Sequence, residues 1–407
     1  MGSLKRTGEI NRTKPEKDRM EIGKVYARKL RMVLAEEPTK KEQKRILALD
    51  GGGVRGIFTI EILAKIESLL RQHYQKPDLV LAEHFQFMAG TSTGAIIATL
   101  LSWGKPVADI RDLYLERCKE IFPKRSPWKI WKLPNFIGAL YGSEALASFL
   151  KNYFVDDETG QPALLGTKNL KTTLLICMRN ATTGSAWPVT NHPRAKYNQT
   201  DHADCNLKIP LWQLVRASTA APIYFRPEEI KLDQSAFAFV DGGVTSYNNP
   251  ALIAFLMATQ PCYRMEWPTG PDRLLVVSVG TGRIRSVLKS LSLFASNIGS
   301  DLLQVPSGLM ENISLQQDFL CRVIGQCRYG DEIDSEVGDL VAEHSGSQSR
   351  DKKFSYIRYD HRFSTDELVS VFKTHGALTL NNLRTMPFLA ELGATYAEKY
   401  VKLEHFK

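Results

Sequence analysis

The sequence predicts a three-layer α/β/α fold with a mostly parallel central sheet. Short apolar strands alternate with helical patterns through residues 45–285, which is typical of this fold class. A glycine-rich turn follows the first strand, and a Gly-x-Ser-x-Gly turn follows the second. In open α/β sheets, ligands bind at the carboxyl ends of such strands, so both turns are expected to belong to one site.

The predicted elements follow from hydrophobic periodicity, with strands short and apolar and helices apolar on one face. Predicted strands are 45–49, 87–89, 174–178, 186–190, 237–240, 274–279 and 354–359. Predicted helices are 21–34, 57–70, 95–103, 107–118, 211–218, 287–295, 302–321 and most of 378–402. Residues 1–20 are polar and expected to be disordered, and 329–353 is expected to be an exposed loop.

Composition limits the class of protein. The 407 residues are 43% hydrophobic and 24% charged, as in ordinary globular chains. Six scattered cysteines form no C-x-x-C pair, so we expect neither a zinc site nor disulfides, and a cytoplasmic location. We find no apolar run long enough to span a membrane, no secretory signal, and no myristoylation motif because Arg6 stands where Ser or Thr is required.

The net charge of +9 is concentrated at the N-terminus. Residues 1–45 hold 14 Lys and Arg against 7 Asp and Glu, and the rest of the chain is nearly balanced. We therefore expect no DNA- or RNA-binding face across the fold. The basic arm is expected either to contact anionic lipid or a phosphate-bearing ligand, or to remain a solvated tail and helix.

The Gly-x-Ser-x-Gly turn places Ser92 between a buried strand and an apolar helix. A serine in such a turn occupies a strained corner with its hydroxyl pointing away from the sheet, as a nucleophile requires. Small residues at Gly90 and Gly94 let the turn tighten and the helix approach the strand. The five-residue pattern also arises by chance, so its interpretation depends on the upstream turn.

The upstream turn runs from Asp50 to Gly56 and joins a strand to a long helix, a geometry that directs backbone N–H groups at a negative charge. Its glycines at 51, 53 and 56 match the dinucleotide-binding pattern loosely, but no acidic residue closes a second strand about 20 residues on. No Lys-Ser/Thr pair follows, as a P-loop requires. Because the Gly-x-Ser-x-Gly turn, here called the serine elbow, follows one strand later, the favoured ligand is the oxyanion of a tetrahedral acyl intermediate.

A carboxylate follows a later strand. Asp241 comes at the end of 237–240 and precedes Gly242 and Gly243, which allow close approach to Ser92. Desolvation raises the pKa of a carboxyl group, which would make Asp241 a useful base. His192 and His202 flank a polar loop, where either could instead complete a three-residue triad or simply be solvated.

Residues 122–138 differ in character from their surroundings. Four cations alternate with Trp128, Trp131 and Phe136 among three prolines. This mixture suits a mobile cap or a segment that contacts lipid headgroups. A loop packed on its own domain explains it equally well.

Taken together, the motifs resemble those of the patatin-like phospholipases. They are DGGGVRG at 50–56, GTSTG at 90–94, ASTAAPIYF at 217–225, DGGVTSYNNP at 241–250 and VSVGTG at 277–282. The resemblance implies a Ser–Asp dyad, with Ser92 as nucleophile and Asp241 as general base. It also implies an oxyanion hole at Gly51, Gly52 and Gly53 with Arg55 nearby, no catalytic histidine, and no metal.

The chain also resembles the cyclic-oligonucleotide-activated phospholipase effectors of bacterial CBASS anti-phage systems. That resemblance implies membrane phospholipid as substrate, peripheral contact with the inner membrane, and a cyclic di- or trinucleotide as allosteric activator. Its pocket is unassigned, and Arg283, Arg285, Arg358 and the N-terminal helix are candidates to pair phosphates. Self-association is left open.

The resulting domain plan has three parts. Residues 1–44 form a basic arm and helix, 45–285 the catalytic domain, and 286–407 a mostly helical region that is a candidate regulatory or nucleotide-sensing part. Two alternatives stay open. One is a constitutive lipid acyl hydrolase without nucleotide control, and the other is a nucleotide-binding interaction module whose serine elbow is vestigial.

Overall fold

The central element of the structure is a large mixed β-sheet. The structure is a computed structural model that describes residues 43–121, 140–142, 144–284, 298–342 and 351–407. Within these residues the sheet has nine strands, in the order β5-β6-β3-β2-β1-β7-β10-β9, with β4 also paired to β3. A second, two-stranded sheet pairs β8 with β11.

The strands and helices have the following bounds. The strands are β1 Lys44–Leu49, β2 Phe87–Thr91, β3 Thr173–Asn180, β4 Ala186–Thr190, β5 Glu228–Leu232, β6 Ser235–Asp241, β7 Leu274–Val279, β8 Arg283–Ile284, β9 Gln326–Tyr329, β10 Ser355–Tyr359 and β11 Arg362–Phe363. The helices are α1 Gly56–Tyr74, α2 Leu81–His84, α3 Thr93–Ser102, α4 Val107–Ile121, α5 Glu144–Tyr153, α6 Leu211–Ser218, α7 Ala251–Thr259, α8 Ile298–Ile324, α9 Thr365–His375 and α10 Met386–Tyr400.

Six adjacent strands, β3-β2-β1-β7-β10-β9, run parallel, whereas β4, β5 and β6 pair antiparallel at one side. The chain moves outward from β1 in one direction through β2 and β3, and in the other through β7 and β10. The strand order therefore reverses beside β1, the position where open α/β sheets bind ligands.

Strand β3 brings two distant chain segments together. Along one edge it pairs first with β2, where Thr91 lies opposite Cys177, and then with β6, where Asp241 lies opposite Met178. Because β2 is parallel and β6 antiparallel to β3, the two strands run toward each other and their carboxyl ends meet. The residues that follow Thr91 and precede Gly242 are thereby held side by side.

Helices cover both faces of the sheet. Alternate residues of β1 point to opposite sides, with Leu47 and Leu49 in one hydrophobic core and Ile46 and Ala48 in the other. The first core is shared by α1, α3, α4, α6 and α10, and the second by α7 and the end of α8. The fold is therefore the three-layer α/β/α arrangement that the sequence predicts.

Some elements differ from the sequence prediction. All seven predicted strands are present within a few residues of their predicted bounds. The strands β5, β8, β9 and β11 and the helices α2, α5, α7 and α9 were not predicted. The predicted helix at 378–402 begins only at Met386, because residues before it form turns in which Asn382 caps a short 3₁₀ segment. Strands β9 and β10 extend the same sheet that carries Ser92, so the boundary near residue 285 stays a prediction.

Several predictions lie outside the described residues, including the helices at 21–34 and 287–295, the aromatic and basic segment 122–138, and Arg285. Part of the predicted loop at 329–353 is also outside. Among the helices that are described, none is both long and apolar enough to cross a bilayer.

Candidate active site

Ser92 occupies a sharp turn between β2 and α3. Its backbone has φ 54° and ψ −124°, a region that non-glycine residues rarely adopt, and such strain costs about 1–3 kcal/mol. The turn is tight because α3 packs directly on the strands. A Cβ at Gly94 would lie 2.2 Å from the carbonyl oxygen of Leu49, and one at Gly90 would lie 2.2 Å from that of Gly94. Both glycines therefore serve close packing, as predicted.

The hydroxyl of Ser92 donates a hydrogen bond to Asp241. The distance from Oγ to Oδ2 is 2.6 Å, and the second carboxylate oxygen accepts the N–H of Gly243 at 2.7 Å. Asp241 is 2% exposed, and this burial raises the pKa of its carboxyl group to about 6, although the hydrogen bonds from Ser92 and Gly243 oppose the shift. The pair is thus a serine with a carboxylate positioned to take its proton.

Ser218 is a further contributor that the sequence analysis did not identify. Its Oγ accepts the N–H of Ser92 at 2.9 Å and donates to the carbonyl of Cys177 at 2.6 Å. This hydroxyl ties the strained elbow to the middle of β3. Ser218 lies within the ASTAAPIYF stretch, so the motif carried a signal, but only the fold reveals the contact.

The glycine turn after β1 offers two backbone donors. The N–H groups of Gly52 and Gly53 have no hydrogen-bond partner among the described residues. Gly51 corrects the prediction, because its N–H donates to the carbonyl of Asn248 at 3.2 Å and is not available to an oxyanion. Gly53 has φ +56°, and a Cβ there would lie 2.1 Å from the carbonyl oxygen of Leu380, so this position requires glycine.

The turn is held from several sides. The carbonyl of Gly53 accepts the hydroxyls of Thr93 at 3.0 Å and Tyr114 at 2.5 Å. The N–H of Val54 donates to the carbonyl of Leu380 at 2.8 Å. These contacts fix the peptide between Gly53 and Val54. The peptide that carries the Gly53 N–H is held through its own carbonyl, because the C=O of Gly52 accepts the N–H of Arg55 at 3.2 Å. The contact with Leu380 had no signal in the sequence.

Arg55 does not line the cavity beside Ser92. Its guanidinium donates to the carbonyl of Gly282 at 3.2 Å and to Glu311 at 3.3 Å, and its N–H bonds to the carbonyl of Gly52. We therefore correct its assignment to the oxyanion hole, since its contacts are those of a structural residue.

The remaining motif glycines, Gly56 and Gly242, allow close packing. At Gly56 a Cβ would lie 2.2 Å from Cγ2 of Thr93, and at Gly242 it would lie 2.3 Å from the carbonyl oxygen of Cys177. Gly243 acts through its N–H, which donates to Asp241.

The histidines considered for a triad lie elsewhere. His202 lies close to Asp201 and Asp204, and neither it nor His192 makes a described contact with the dyad.

The arginines proposed to pair phosphates have other partners. Arg358 is 1% exposed and is bound to Asp50 and Asp360, and Arg283 lies 3.5 Å from Asp360. Arg358 is therefore a buried structural cation, which corrects its assignment as a phosphate ligand. In the described ranges, no group of three or more His, Cys, Asp and Glu side chains is placed to hold a metal ion.

An apolar cavity opens onto the dyad. It encloses about 810 Å³ when the space at its mouth is included, and both Ser92 and Asp241 line it together with Gly53. Ile96 and Leu100 follow Ser92 at intervals of four along α3 and continue the lining. Most other lining residues are apolar and come from α4, α5 and the segment around Phe225: Ile110, Leu113, Cys118, Ile121, Leu146, Phe149, Ala221 and Tyr224.

Comparisons with known proteins match part of the chain to one family. The family model described as "Patatin-like phospholipase" matches residues 47–255, about half of the chain. The chain is 33% identical to the "cGAMP-activated phospholipase" of Escherichia coli (strain TW11681) over 59% of this chain and 63% of that protein. It is 31% identical to the protein of the same name from Vibrio cholerae serotype O1, over 52% and 57% of the two chains.

A plant relative has a similar sequence identity to this chain. The chain is 32% identical to "Patatin-like protein 1" of Arabidopsis thaliana over 58% of each chain. The matches therefore span about six tenths of the length of these relatives. The matched part contains the end of β1, the turn at Ser92 and Asp241, and the strands after residue 255 lie outside the family model.

The strained backbone predicts that glycine is more stable than alanine at residue 92, the reverse of their order inside a helix. Ser92→Gly should be more stable than Ser92→Ala by about 1 kcal/mol, because glycine relieves the positive φ while both variants lose the same hydrogen bond. The free energies of unfolding in urea measure this difference. Ser68, exposed in the middle of α1, is the matched control, since there alanine should be the more stable by a similar amount. The same order at both positions would contradict the strain.

Proposed function

The chain belongs to the patatin-like phospholipases, and we propose that it hydrolyses the ester bonds of membrane phospholipids with Ser92 as nucleophile and Asp241 as general base. The observation that carries this proposal is the 2.6 Å hydrogen bond between the two side chains at the wall of an apolar cavity. A buried carboxylate within hydrogen-bond reach is what a serine needs to lose its proton as it attacks.

The first half-reaction acylates the enzyme. Asp241 accepts the Oγ proton while Ser92 forms a bond to the ester carbonyl carbon, and the carbonyl oxygen becomes an oxyanion. The N–H groups of Gly52 and Gly53 stabilise that charge, and in a site that excludes water one such donor contributes about 10²–10³ to turnover. The ester C–O bond then breaks, and the lysolipid alcohol leaves with the proton that Asp241 returns.

The second half-reaction releases the fatty acid. Asp241 accepts a proton from water, whose oxygen attacks the acyl carbon, and a second oxyanion forms at the same glycine donors. Its collapse breaks the bond to Ser92, which regains a proton from Asp241. The Ser–Asp pair thus serves both steps without a histidine.

The cavity supports an acyl chain as the bound part of the substrate. Its lining is apolar apart from the dyad and a few polar side chains, and burial of an apolar chain there is favourable by about 25 cal/mol per Å². Leu100 lies eight residues beyond Ser92, which is about 12 Å along α3. The reacting ester would lie at Ser92 with its chain directed along this face.

We infer cyclic-nucleotide control from two relatives that are named cGAMP-activated phospholipases. In this proposal a cyclic di- or trinucleotide activates the enzyme, which acts from the cytoplasm as a peripheral protein of the bacterial inner membrane in anti-phage defence. A constitutive lipid acyl hydrolase is the alternative, and the match to a plant patatin-like protein supports it equally. The described residues assign no nucleotide pocket.

The dyad predicts a pH dependence. Asp241 must be ionised to accept the proton, so kcat/KM should rise with pH up to an apparent pKa of about 6 and fall about tenfold per pH unit below it. Asp241→Asn should lower kcat by about 10²–10⁴ at pH 7.5. Hydrolysis of a soluble ester across pH 4.5–8 measures both. A profile that stays flat through this range would contradict the role of Asp241.

A measurement of folding stability is the control for Asp241→Asn, because it separates a loss of catalysis from a loss of structure. Between about pH 4 and 6 the folded chain keeps the Asp241 proton while the unfolded chain loses it, so this group destabilises the fold as pH rises. Asp241→Asn removes this dependence and should remain folded at pH 7.5. A loss of activity accompanied by unfolding would not support a catalytic role.

The cavity predicts control of chain length at residue 100. Leu100→Trp should reduce hydrolysis of long-chain esters by about tenfold or more, because a larger side chain fills the cavity beyond Ile96. Short-chain esters reach only the part next to Ser92 and should be hydrolysed at nearly the wild-type rate. Relative kcat/KM values for a series of acyl lengths measure the effect. Equal losses for all lengths would contradict this placement of the chain.

Activation is tested with phospholipid vesicles. Fatty-acid release should rise about tenfold or more when one member of a panel of cyclic di- and trinucleotides is added, and Ser92→Ala should release none. Equal release without a nucleotide would leave a constitutive lipase. A cellular effect that survives Ser92→Ala would favour the interaction module with a vestigial elbow.

A further inference from the structure

A buried ion cluster lies at the carboxyl ends of β1, β7 and β10. Arg358 of β10 donates to both carboxylate oxygens of Asp50, at 2.8 and 2.7 Å, and to Ser278 and Asp360 at 2.7 Å each. All four residues are less than 5% exposed. A guanidinium that binds a carboxylate with two parallel hydrogen bonds fixes its orientation as well as its position.

The cluster joins strands that are not neighbours. β7 lies between β1 and β10, and Arg358 is in register with Ser278 of β7. Its side chain therefore passes Ser278 to reach Asp50, immediately after the end of β1. The small Ser278 side chain leaves room for this and accepts one of the hydrogen bonds. Arg358 thus connects the C-terminal part of the chain to the start of the glycine turn.

The same cluster holds a second turn against the first. Asp360 binds Arg358 and also accepts the N–H of Gly282 at 3.1 Å, in the turn after β7. Within that turn, the Thr281 hydroxyl donates to the carbonyl of Gly51 at 3.4 Å, and a Cβ at Gly52 would lie 2.3 Å from the same hydroxyl oxygen. One cation therefore supports the glycine turn directly through Asp50 and indirectly through Thr281.

We propose that Arg358 is a positioning residue, which sets the geometry of the Gly52 and Gly53 donors by clamping Asp50. The proposal rests on the hydrolase activity proposed above. Arg358 touches neither Ser92 nor Asp241, and it lies outside residues 47–255 that the family model matches. Its effect should therefore be on the transition state and not on lipid binding, because the apolar cavity does not include it.

The test compares two buried arginines. Arg358→Lys keeps the charge but loses the paired hydrogen bonds, and kcat should fall by about 10–100-fold while KM changes less than about threefold. Arg322→Lys is the matched control, since Arg322 is equally buried and paired with Asp318 at 2.9 and 2.7 Å but makes no described contact with the glycine turn. It should lower the melting temperature similarly and leave kcat within about twofold.

Amide hydrogen exchange gives a readout that does not depend on activity. Exchange in a peptide covering residues 50–56 should be faster in Arg358→Lys than in the wild type and unchanged in Arg322→Lys. Asp50→Asn is a second test in case Arg358→Lys does not fold. Asparagine has nearly the shape of aspartate, and this variant should show the same loss of kcat and the same faster exchange in residues 50–56. Because both variants break the contact between Arg358 and Asp50, the double variant should lose about as much kcat as the more damaging single variant, and less than the product of the two losses.

Two results would overturn the proposal: equal losses of kcat in Arg358→Lys and Arg322→Lys, or unchanged exchange in residues 50–56 of both Arg358→Lys and Asp50→Asn. A wild-type protein that hydrolyses no ester would instead refute the proposed function. The exchange measurement would then still decide whether Arg358 orders the turn.

Discussion

The site depends on the way two strands meet on one edge of β3. Because Thr91 and Asp241 lie opposite consecutive residues of β3, the serine after β2 and the carboxylate that ends β6 are placed side by side. Ser218 reinforces this meeting by bonding both the Ser92 backbone and the Cys177 carbonyl. Both side chains are therefore positioned by the ends of strands paired to β3, and sites built on strands are held more precisely than sites on loops.

Two buried carboxylates near the site have contrasting surroundings. Asp50 is bound on both oxygens by Arg358, whereas the hydrogen bonds that Asp241 accepts from the described residues come from a hydroxyl and a backbone N–H. Burial raises the pKa of Asp241 to about 6 and also raises the pKa of Asp50, although the Arg358 guanidinium opposes the shift at Asp50. The two carboxylates differ in their partners: a guanidinium occupies both oxygens of Asp50, whereas one oxygen of Asp241 accepts the Ser92 hydroxyl, as the proposed proton transfer requires.

Much of the fold could be predicted from sequence because local patterns encode it, whereas the pairing of Ser92 with Asp241 came from the family resemblance. The strands are short and apolar, and glycines mark the two turns where backbone must approach backbone. Contacts across the sheet had no such signal. The roles of Ser218, Asn248 and Leu380 depend on which strand ends lie together, and the position of Arg358 depends on β10 joining the sheet two places from β1. Gly51 and Arg55 were assigned to the oxyanion hole from the resemblance, and their actual partners lie about 200 residues or more along the chain, where no local pattern reveals them.

The most direct test of the account is a crystal structure of the protein after reaction with a fluorophosphonate, which forms a tetrahedral phosphonyl ester on an activated serine. We predict a covalent bond from Ser92 Oγ to phosphorus, with the phosphonyl oxygen about 2.7–3.1 Å from the Gly52 and Gly53 nitrogens and the alkyl group in the apolar cavity. An unmodified Ser92, or a phosphonyl oxygen directed away from the glycine turn, would contradict the proposed site.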